Sequence, residues 1–254
     1  MPGKPVIADF RSASSVAPAS VDTVRVDSPA KDKLDTLRDL LLCADGRSIV
    51  FVNHRESAER VYNALRREGF AAGLYHGGLD QRQRELAVDL LDNGTTPVLV
   101  ATDLGARGLD IAGVANVIHY HIPPSAEAWT HRNGRTGRAG AAGTVYAIIS
   151  DADNVPEFMS FDRAYSPKPK SERPGRPVTA TLYFDAGRKE KISRGDIAGF
   201  LMARGNLSRD EVGKIVVKDH GAIAAVPAAK LKEVLASVAP YKLKNKRVRI
   251  TPLS

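Results

Sequence analysis

Short apolar stretches alternate with amphipathic stretches from about residue 48 to residue 150, and this alternation constrains the fold more than any other feature. The apolar stretches are rich in valine and isoleucine, which is typical of buried strands, and the segments between them carry apolar residues at helical spacing. Strands that alternate with helices form a parallel sheet with helices on both faces, so an α/β fold is predicted. The predicted strands are 23–26, 48–52, 72–75, 97–101, 114–120 and 143–149, and the predicted helices include 31–42, 56–68 and 81–93.

Three polar segments follow the predicted strands. They are His76-Gly77-Gly78, Thr102-Asp103 and the octet His131-Arg132-Asn133-Gly134-Arg135-Thr136-Gly137-Arg138. Ligands of such sheets bind beyond the carboxyl ends of the strands, so we expect the three segments to share one edge. Arg135 and Arg138 lie three residues apart and therefore point the same way on a helical turn. Two converging guanidiniums fit a transferring phosphoryl group, and the alternative is a solvated basic helix end.

The net charge of +8 is distributed unevenly along the chain. Residues 1–150 carry no net charge, so the whole excess lies in residues 151–254. This asymmetry is typical of a segment that binds a polyanion, and it favours nucleic acid as the partner. The alternative is a surface whose charge serves solubility alone. The basic residues nearest the end are Lys242, Lys244, Lys246, Arg247 and Arg249.

Changes in composition divide the chain into four parts. Residues 1–18, rich in Ala, Ser and Pro, predict a disordered lead-in, and residues 163–177, rich in Pro, Gly and basic residues, predict a linker. The first predicted domain is 19–162, with one or two helical turns at 155–162, and the second is 178–254. The second has predicted strands at 179–184, 214–218, 222–226 and 247–250 and helices at 194–204 and 228–238, which is the RRM-like βαββαβ order.

Signals for a compartment are few. Cys43 is the single cysteine, which excludes an intrachain disulfide, and its apolar neighbours indicate a core position. No apolar run reaches the roughly 18–20 residues that span a bilayer, and the start of the chain lacks the apolar core of a signal peptide. We therefore expect a cytoplasmic protein with no membrane partner.

Four segments, in order along residues 20–160, resemble the C-terminal RecA-like domain of DEAD-box RNA helicases. Residues 48–53 are similar to motif IV, and His76-Gly77 with Gln81-Arg82-Gln83-Arg84 is similar to the QxxR region. Residues 101–111 are similar to motifs Va and V, and the octet is similar to motif VI. The sequence departs from the family pattern at Gly78, His121, Trp129, Thr130 and Asn133.

The resemblance implies a role for each motif residue. The arginine fingers that reach the γ-phosphate of ATP would be Arg135 and Arg138, and the hydrogen-bond acceptor for its ribose would be Asp110. The residues that contact the RNA backbone would be Gly77, Arg84 and Thr102. The residues that couple the RNA and ATP sites when two RecA-like domains close would be Gln81, Arg107 and His131.

The resemblance also implies ATP and Mg²⁺ as cofactors, yet three family motifs do not occur here: G-x-x-x-x-G-K-[ST], Asp-Glu-Ala-Asp and Ser-Ala-Thr. The phosphate loop and the Mg²⁺ ligands are therefore expected in an N-terminal RecA-like domain outside this chain, and no metal site is predicted within it. We accordingly expect a fragment of a longer protein, with negligible ATPase activity on its own.

Residues 178–254 resemble the RNA-binding domain of DbpA-type helicases, which target a ribosomal RNA hairpin during large-subunit assembly. The resemblance rests on residues 184–189, residues 212–215 and the basic terminal strand. The central strands offer aliphatic residues where RRM domains stack bases on aromatic ones, so we expect limited stacking. The expected RNA contacts are Arg188, Lys189, Lys214, Lys218 and Arg247.

The sequence as a whole favours the C-terminal part of an ATP-dependent RNA helicase that acts on structured ribosomal RNA. Two alternatives stay open. One is a non-enzymatic RNA-binding or RNA-chaperone protein that has the same fold and lacks the motor. The other is a fragment of a related DNA helicase, which a comparison of duplex DNA with structured RNA at matched salt would distinguish.

Overall fold

The computed structural model describes residues 21–103, 113–137, 141–169, 171 and 173–253, so the predicted lead-in lies outside the described residues. The first domain has strands β1 (Val21–Ser28), β2 (Ser48–Val52), β3 (Ala72–Tyr75), β4 (Val98–Thr102), β5 (Asn116–His119), β6 (Gly143–Ser150) and β7 (Arg163–Ala164). Its helices are α1 (Leu34–Cys43), α2 (Arg55–Arg67), α3 (Gln81–Asp92) and α4 (Ala126–Asn133). Within the described residues, the strands form one parallel sheet in the order β3-β4-β2-β5-β6-β1-β7.

Alternate residues of the central strands enter two separate cores on the two faces of this sheet. In β2, Val50 and Val52 pack with α1 and α2, whereas Ile49 and Phe51 pack with α3 and α4. Every residue of β2 is buried, as expected for a strand covered on both sides. The predicted parallel sheet with helices on both faces is therefore confirmed.

The second domain is an antiparallel sheet with helices packed on one face. Its elements are β8 (Thr179–Phe184), α5 (Arg194–Arg204), β9 (Ile215–Val217), β10 (Ala222–Pro227), α6 (Leu231–Val238) and β11 (Ile250–Leu253), with 3₁₀ turns at Arg209–Glu211 and Ala228–Lys230. The strand order is β11-β8-β10-β9. Leu182 and Phe184 of β8 enter a core that includes Ile197 of α5 and Val234 of α6. The predicted βαββαβ unit is confirmed.

The terminal strand lies further along the chain than predicted. Lys244 and Asn245 have left-handed backbone conformations, with φ of 50° and 61°, and form a tight turn before it. The Arg249 amide then donates to the Asp185 carboxylate at 2.7 Å, which aligns the following residues with β8. The prediction of a strand over 247–250 is therefore wrong, and Arg247 precedes β11.

Residues 155–165 also differ from the prediction. No helix forms in 155–162, where a single turn from the Met159 amide to the Pro156 carbonyl (3.0 Å) brings Met159 and Phe161 to the core. Residues 163–165, assigned to the linker from sequence, extend the first sheet instead. Arg163–Ala164 forms β7 and pairs with β1, and Tyr165 packs at the edge of the core.

Two further properties of the described residues bear on the sequence analysis. Cys43 is a free, half-buried thiol at the end of α1. Within the described ranges, no helix combines the length and the apolar character that a membrane span requires.

Candidate functional site

The side chain of Arg132, in α4, joins the ends of three strands at the carboxyl edge of the first sheet. It is 1% exposed, and its Nε and Nη2 atoms donate to the two carboxylate oxygens of Asp103 at 2.6 and 2.5 Å. Nη2 also donates to the Asn53 side-chain oxygen at 2.8 Å, and Nη1 donates to the His121 carbonyl at 3.1 Å. Because these partners lie just beyond β4, β2 and β5, one guanidinium holds α4 to all three strands.

The contacts of Arg132 meet the requirements of a buried cation. Such a group is stable only when its charge is paired and its donors are hydrogen-bonded, and the fork of two bonds to Asp103 provides both. The Phe51 ring adds a cation–π contact, with its centroid 5.3 Å from the guanidinium carbon. No individual role is predicted for Arg132 or Asp103 from the sequence, because two residues that pair across 29 positions produce no periodic pattern. The one available signal was that both lie in segments that follow predicted strands.

Two residues at which the sequence departs from the family pattern fill the space behind Arg132. The buried His119 ring stacks on Trp129, with 4.5 Å between centroids, and its Nε2 atom lies 2.8 Å from the Asn133 amide. Burial, followed by the Arg132 charge, lowers the pKa of His119 to about 3. Neutral His119 therefore contacts the Asn133 side-chain amide through Nε2, and its Nδ1 atom lies 3.4 Å from Nη1 of Arg132.

His121, a third departure, is held in its neutral form as well. The Asn53 backbone amide donates to its Nδ1 atom at 3.2 Å. Burial, followed by the charges of Lys33 and other nearby cations, lowers the pKa of His121 to about 4. The edge of the sheet therefore carries two histidines that resist protonation while the domain is folded.

We expect the free energy of unfolding to decrease as the pH falls from about 6.5 towards 4. In the unfolded chain both histidines gain protons near pH 6.5, whereas in the folded chain burial keeps His119 and His121 neutral until the pH is much lower. The unfolded state therefore binds more protons in this window. Urea unfolding at pH 7 and pH 5, followed by the fluorescence of the single tryptophan, Trp129, should show the decrease. His121→Gln should reduce it, and an unchanged pH dependence in that variant would contradict the assignment.

Arg135 lies just beyond α4, in a backbone segment held at the amino ends of β5 and β6. The prediction that the whole octet shares the carboxyl edge of the sheet is therefore wrong: the Arg132 side chain reaches that edge, whereas the backbone at Thr136 lies at the opposite one. The Arg135 amide donates to the Arg132 carbonyl at 3.1 Å, and the buried Thr136 hydroxyl donates to the Val114 carbonyl at 2.6 Å. A Cβ atom at Gly143 would lie 2.1 Å from the Thr136 hydroxyl, so this close approach requires glycine. Arg135 is thereby half-buried at the rim. Three further predicted site residues lie outside the described residues: Arg107, Asp110 and Arg138.

The residues of the first domain that are predicted to contact RNA lie at or near the carboxyl edge of the sheet. Thr102, 6% exposed, is the last residue of β4, and Gly77 follows β3 with open space where a Cβ atom would stand. Asp80 then caps α3 in a reciprocal pair with Gln83, at 2.8 and 3.0 Å. Arg84, in the first turn of α3, is half-buried, and its Nε atom has no hydrogen-bond partner in the described part of the chain.

The two described residues predicted to couple the sites are exposed. Gln81 donates to the Glu85 carboxylate one turn further along α3, at 3.0 Å. His131 is 58% exposed and lies 3.7 Å from the Glu127 carboxylate. Both side chains are therefore accessible from solvent.

Comparisons with known proteins agree with this geometry. Residues 32–140 match the family described as Helicase conserved C-terminal domain, and residues 181–252 match the DbpA RNA binding domain. A crystal structure of the E. coli DEAD-box protein SrmB, bound to regulator of ribonuclease activity A, is 32% identical with a TM-score of 0.54. The match covers 61% of this chain and 98% of that one. The chain belongs to the DEAD-box family.

Two curated DEAD-box relatives extend the match over both domains. The ATP-dependent RNA helicase DbpA of Escherichia coli is 30% identical over 232 residues, which cover 88% of this chain and 51% of that protein. The protein of the same name from Bacillus subtilis is 27% identical over 269 residues, with coverage of 94% and 56%. The chain thus has the domain content of the DbpA type and spans about half the length of these relatives.

In this DEAD-box chain, three of the predicted RNA contacts in the second domain are open to solvent. Lys189 and Arg247 are exposed. Arg188 is 67% exposed and pairs with Asp219 at 2.9 Å. Lys189 and Arg247 lie in a loop and near the terminal strand, whereas Arg188 lines a cleft together with Tyr183 and Ile223 of the sheet.

The other two predicted contacts reach across to the helicase domain. Lys218 lies 2.8 Å from the Glu85 carboxylate and 3.1 Å from that of Asp89, and Lys214 pairs with Asp92. All three acidic partners belong to α3. The structure therefore places two of the five predicted RNA contacts, Lys214 and Lys218, in ion pairs with the helicase domain.

Proposed function

We propose that this chain supplies the C-terminal half of an ATP-dependent RNA helicase and targets it to ribosomal RNA during large-subunit assembly. The observation that supports this most is that Gly77 and Thr102 lie at the carboxyl ends of β3 and β4, where parallel sheets bind ligands. The two relatives named ATP-dependent RNA helicase DbpA support RNA as the substrate.

ATP is proposed to bind beside the segment that carries Arg135, with Arg135 and Arg138 at its γ-phosphate and Asp110 at its ribose. A half-buried arginine on a backbone held by Thr136 fits such an anionic ligand, because the cation is positioned before the nucleotide arrives. Bound ATP would supply the phosphoryl group that is transferred to water. The planar guanidinium would pair with the phosphoryl oxygens as their charge develops.

Mg²⁺ is proposed to bind elsewhere in the whole protein. The described residues hold no group of three or more His, Cys, Asp or Glu side chains that could bind a metal ion. From the DEAD-box resemblance, the Mg²⁺ ligands are proposed to belong to an N-terminal RecA-like domain. Gln81, Arg107 and His131 are proposed to face that domain and to couple its closure to RNA binding.

The RNA backbone is proposed to cross the sheet edge at Gly77, Arg84 and Thr102. The amino end of α3 favours a phosphate, since its backbone N–H groups and helix dipole are both positive there. Gly77 leaves room for the backbone to approach closely, and the half-buried Arg84 supplies a cation in the first turn of α3. Arg188, Lys189 and Arg247 are proposed to hold the targeted RNA on the second domain.

Binding to a structured fragment of large-subunit ribosomal RNA, measured over a range of salt concentrations, tests this proposal. Each phosphate contact contributes about 0.7–0.9 to the slope of log K against log salt. The triple variant Arg188→Ala, Lys189→Ala, Arg247→Ala should therefore bind more weakly at low salt and have a slope lower by about 2.

The matched control removes the same charge from the opposite side of the first domain, through Arg38→Ala, Arg66→Ala and Arg67→Ala. These side chains lie on α1 and at the end of α2. The control should leave the slope unchanged. Equal slopes in the two triple variants would show that the assigned RNA surface is wrong, and tighter binding to duplex DNA at matched salt would favour the DNA-helicase alternative.

A further inference from the structure

The outer face of the second domain's sheet packs against the helicase domain. Ala180, Leu182 and Phe184 of β8 point into the domain's own core, so the alternate residues Thr181 and Tyr183 point to the opposite face. Thr181 is fully buried there, and its hydroxyl lies 2.9 Å from the Asn93 amide and 2.7 Å from the Thr95 hydroxyl. The face that RRM domains use to stack bases is therefore in contact with the end of α3 and the turn that follows it.

Ion pairs flank this polar contact. Lys218 bridges Glu85 and Asp89, and Lys214 pairs with Asp92 in the last turn of α3. The Lys218 ammonium, together with the hydrogen bond from Gln81, lowers the pKa of Glu85 below its usual value, so this carboxylate stays ionised at neutral pH. We name the Lys218–Glu85, Lys218–Asp89 and Lys214–Asp92 pairs the interdomain clamp.

A cleft of about 740 Å³ remains between α3 and the sheet, next to the clamp. Tyr183 lines it, so a stacked base is one conceivable occupant. The charge argues against this, because the cleft is lined by four acidic and three cationic side chains. While the clamp is closed, an RNA phosphate in the cleft would be repelled on balance. Lys218, the lysine that lines the cleft, is held by Glu85 and Asp89 of α3.

We propose that the acidic face of α3 occupies Lys214 and Lys218 in place of RNA phosphates, so that the interdomain clamp and RNA compete for the same two ammonium groups. The inference rests on the proposed RNA-binding function and adds a regulatory contact to it. Every pair of the clamp is partly exposed, so its attraction is weak and screened by salt. RNA with several closely spaced phosphates can therefore displace the carboxylates and free the sheet face.

The clamp is tested first without RNA, by energy transfer between dyes on the two domains of the full chain. The dyes are attached through Asn63→Cys in α2 and Ala236→Cys in α6, both exposed positions, in a Cys43→Ser background. The interdomain distance should increase when salt rises from about 0.05 to about 0.5 M. At low salt, Glu85→Gln, Asp89→Asn and Asp92→Asn together should produce the same increase.

The matched control neutralises three carboxylates on the opposite face of the sheet, through Asp35→Asn, Asp39→Asn and Glu68→Gln. It changes the net charge by the same amount and should leave the distance unchanged. A distance that responds neither to salt nor to the α3 variant would overturn the clamp, whatever the chain does with RNA.

RNA binding provides the second readout. The α3 triple variant should bind the ribosomal RNA fragment several-fold more tightly at low salt, with a slope of log K against log salt steeper by about 1.5, since two lysines are released. An open variant whose slope equals that of the unsubstituted chain would overturn the competition. If neither protein binds RNA while the distance still responds to salt, the clamp stands and the proposed RNA-binding function fails.

Discussion

Replacing Arg135 by alanine should lower RNA-stimulated ATP hydrolysis about 10³–10⁵-fold, which is the range of arginine-finger contributions. The measurement requires a fusion of this chain to the part of E. coli DbpA that it does not match, because the isolated chain is expected to show negligible hydrolysis. Of the two arginines assigned to the γ-phosphate, Arg135 lies within the described residues. Its removal takes away charge stabilisation from the transition state and leaves the RNA contacts in place.

A second variant and a stability measurement distinguish this role from a structural one. Arg135→Lys keeps the charge but loses the planar fork, so it should retain only part of the activity. Urea unfolding followed by Trp129 fluorescence should show that both Arg135 variants remain folded. A folded Arg135→Ala fusion that keeps its activity within about tenfold would contradict the finger assignment. An unsubstituted fusion that binds RNA and hydrolyses no ATP would favour the non-enzymatic alternative.

The largest expected effect on stability is that of Arg132. Replacing it by methionine keeps most of the side-chain volume but leaves the Asp103 carboxylate and the Asn53 side-chain oxygen without their donor. Removing one partner of a buried ion pair typically costs about 3–5 kcal/mol. We expect a loss near the lower end of that range, because the Asp103 side chain is 25% exposed and partly hydrated.

An exposed pair of the same chemistry provides the control for Arg132→Met. Arg163 binds Asp22 through Nε and Nη2 at 2.9 and 2.8 Å, and both side chains are more than a third exposed. Arg163→Met should therefore change the free energy of unfolding by about 1 kcal/mol or less. Urea unfolding of both variants, again followed by Trp129, makes the comparison. Equal losses in the two variants would show that burial of Arg132 contributes little.

The relation between Arg132 and Arg135 links stability to function. Arg132 holds α4 against the ends of β2, β4 and β5, and Arg135 follows on the same short segment. Trp129, His119 and Asn133 fill the volume behind this junction. The departures from the family pattern at Trp129 and Asn133 therefore form a local packing arrangement that leaves the position of α4 supported.

Local patterns in the sequence were sufficient for the architecture. Strands and helices bury whole faces, and a face repeats at a fixed period, so apolar spacing alone predicted both sheets and the edge at which Gly77 and Thr102 lie. The terminal strand was placed too early because the basic run before it alternates as a strand does. Its position depends instead on the turn at Lys244 and Asn245 and on the bond from Arg249 to Asp185.

The charge pairs, in contrast, emerged only from the folded chain. Arg132 meets Asp103 across 29 positions, Lys214 meets Asp92 across 122, and Lys218 meets Glu85 across 133. An ion pair has no period, and a lysine intended for RNA looks the same in sequence as a lysine held by a carboxylate. Long-range packing alone brings α4 to the strand ends and α3 to the second sheet, and so it determines which cations are buried, which are paired and which face solvent.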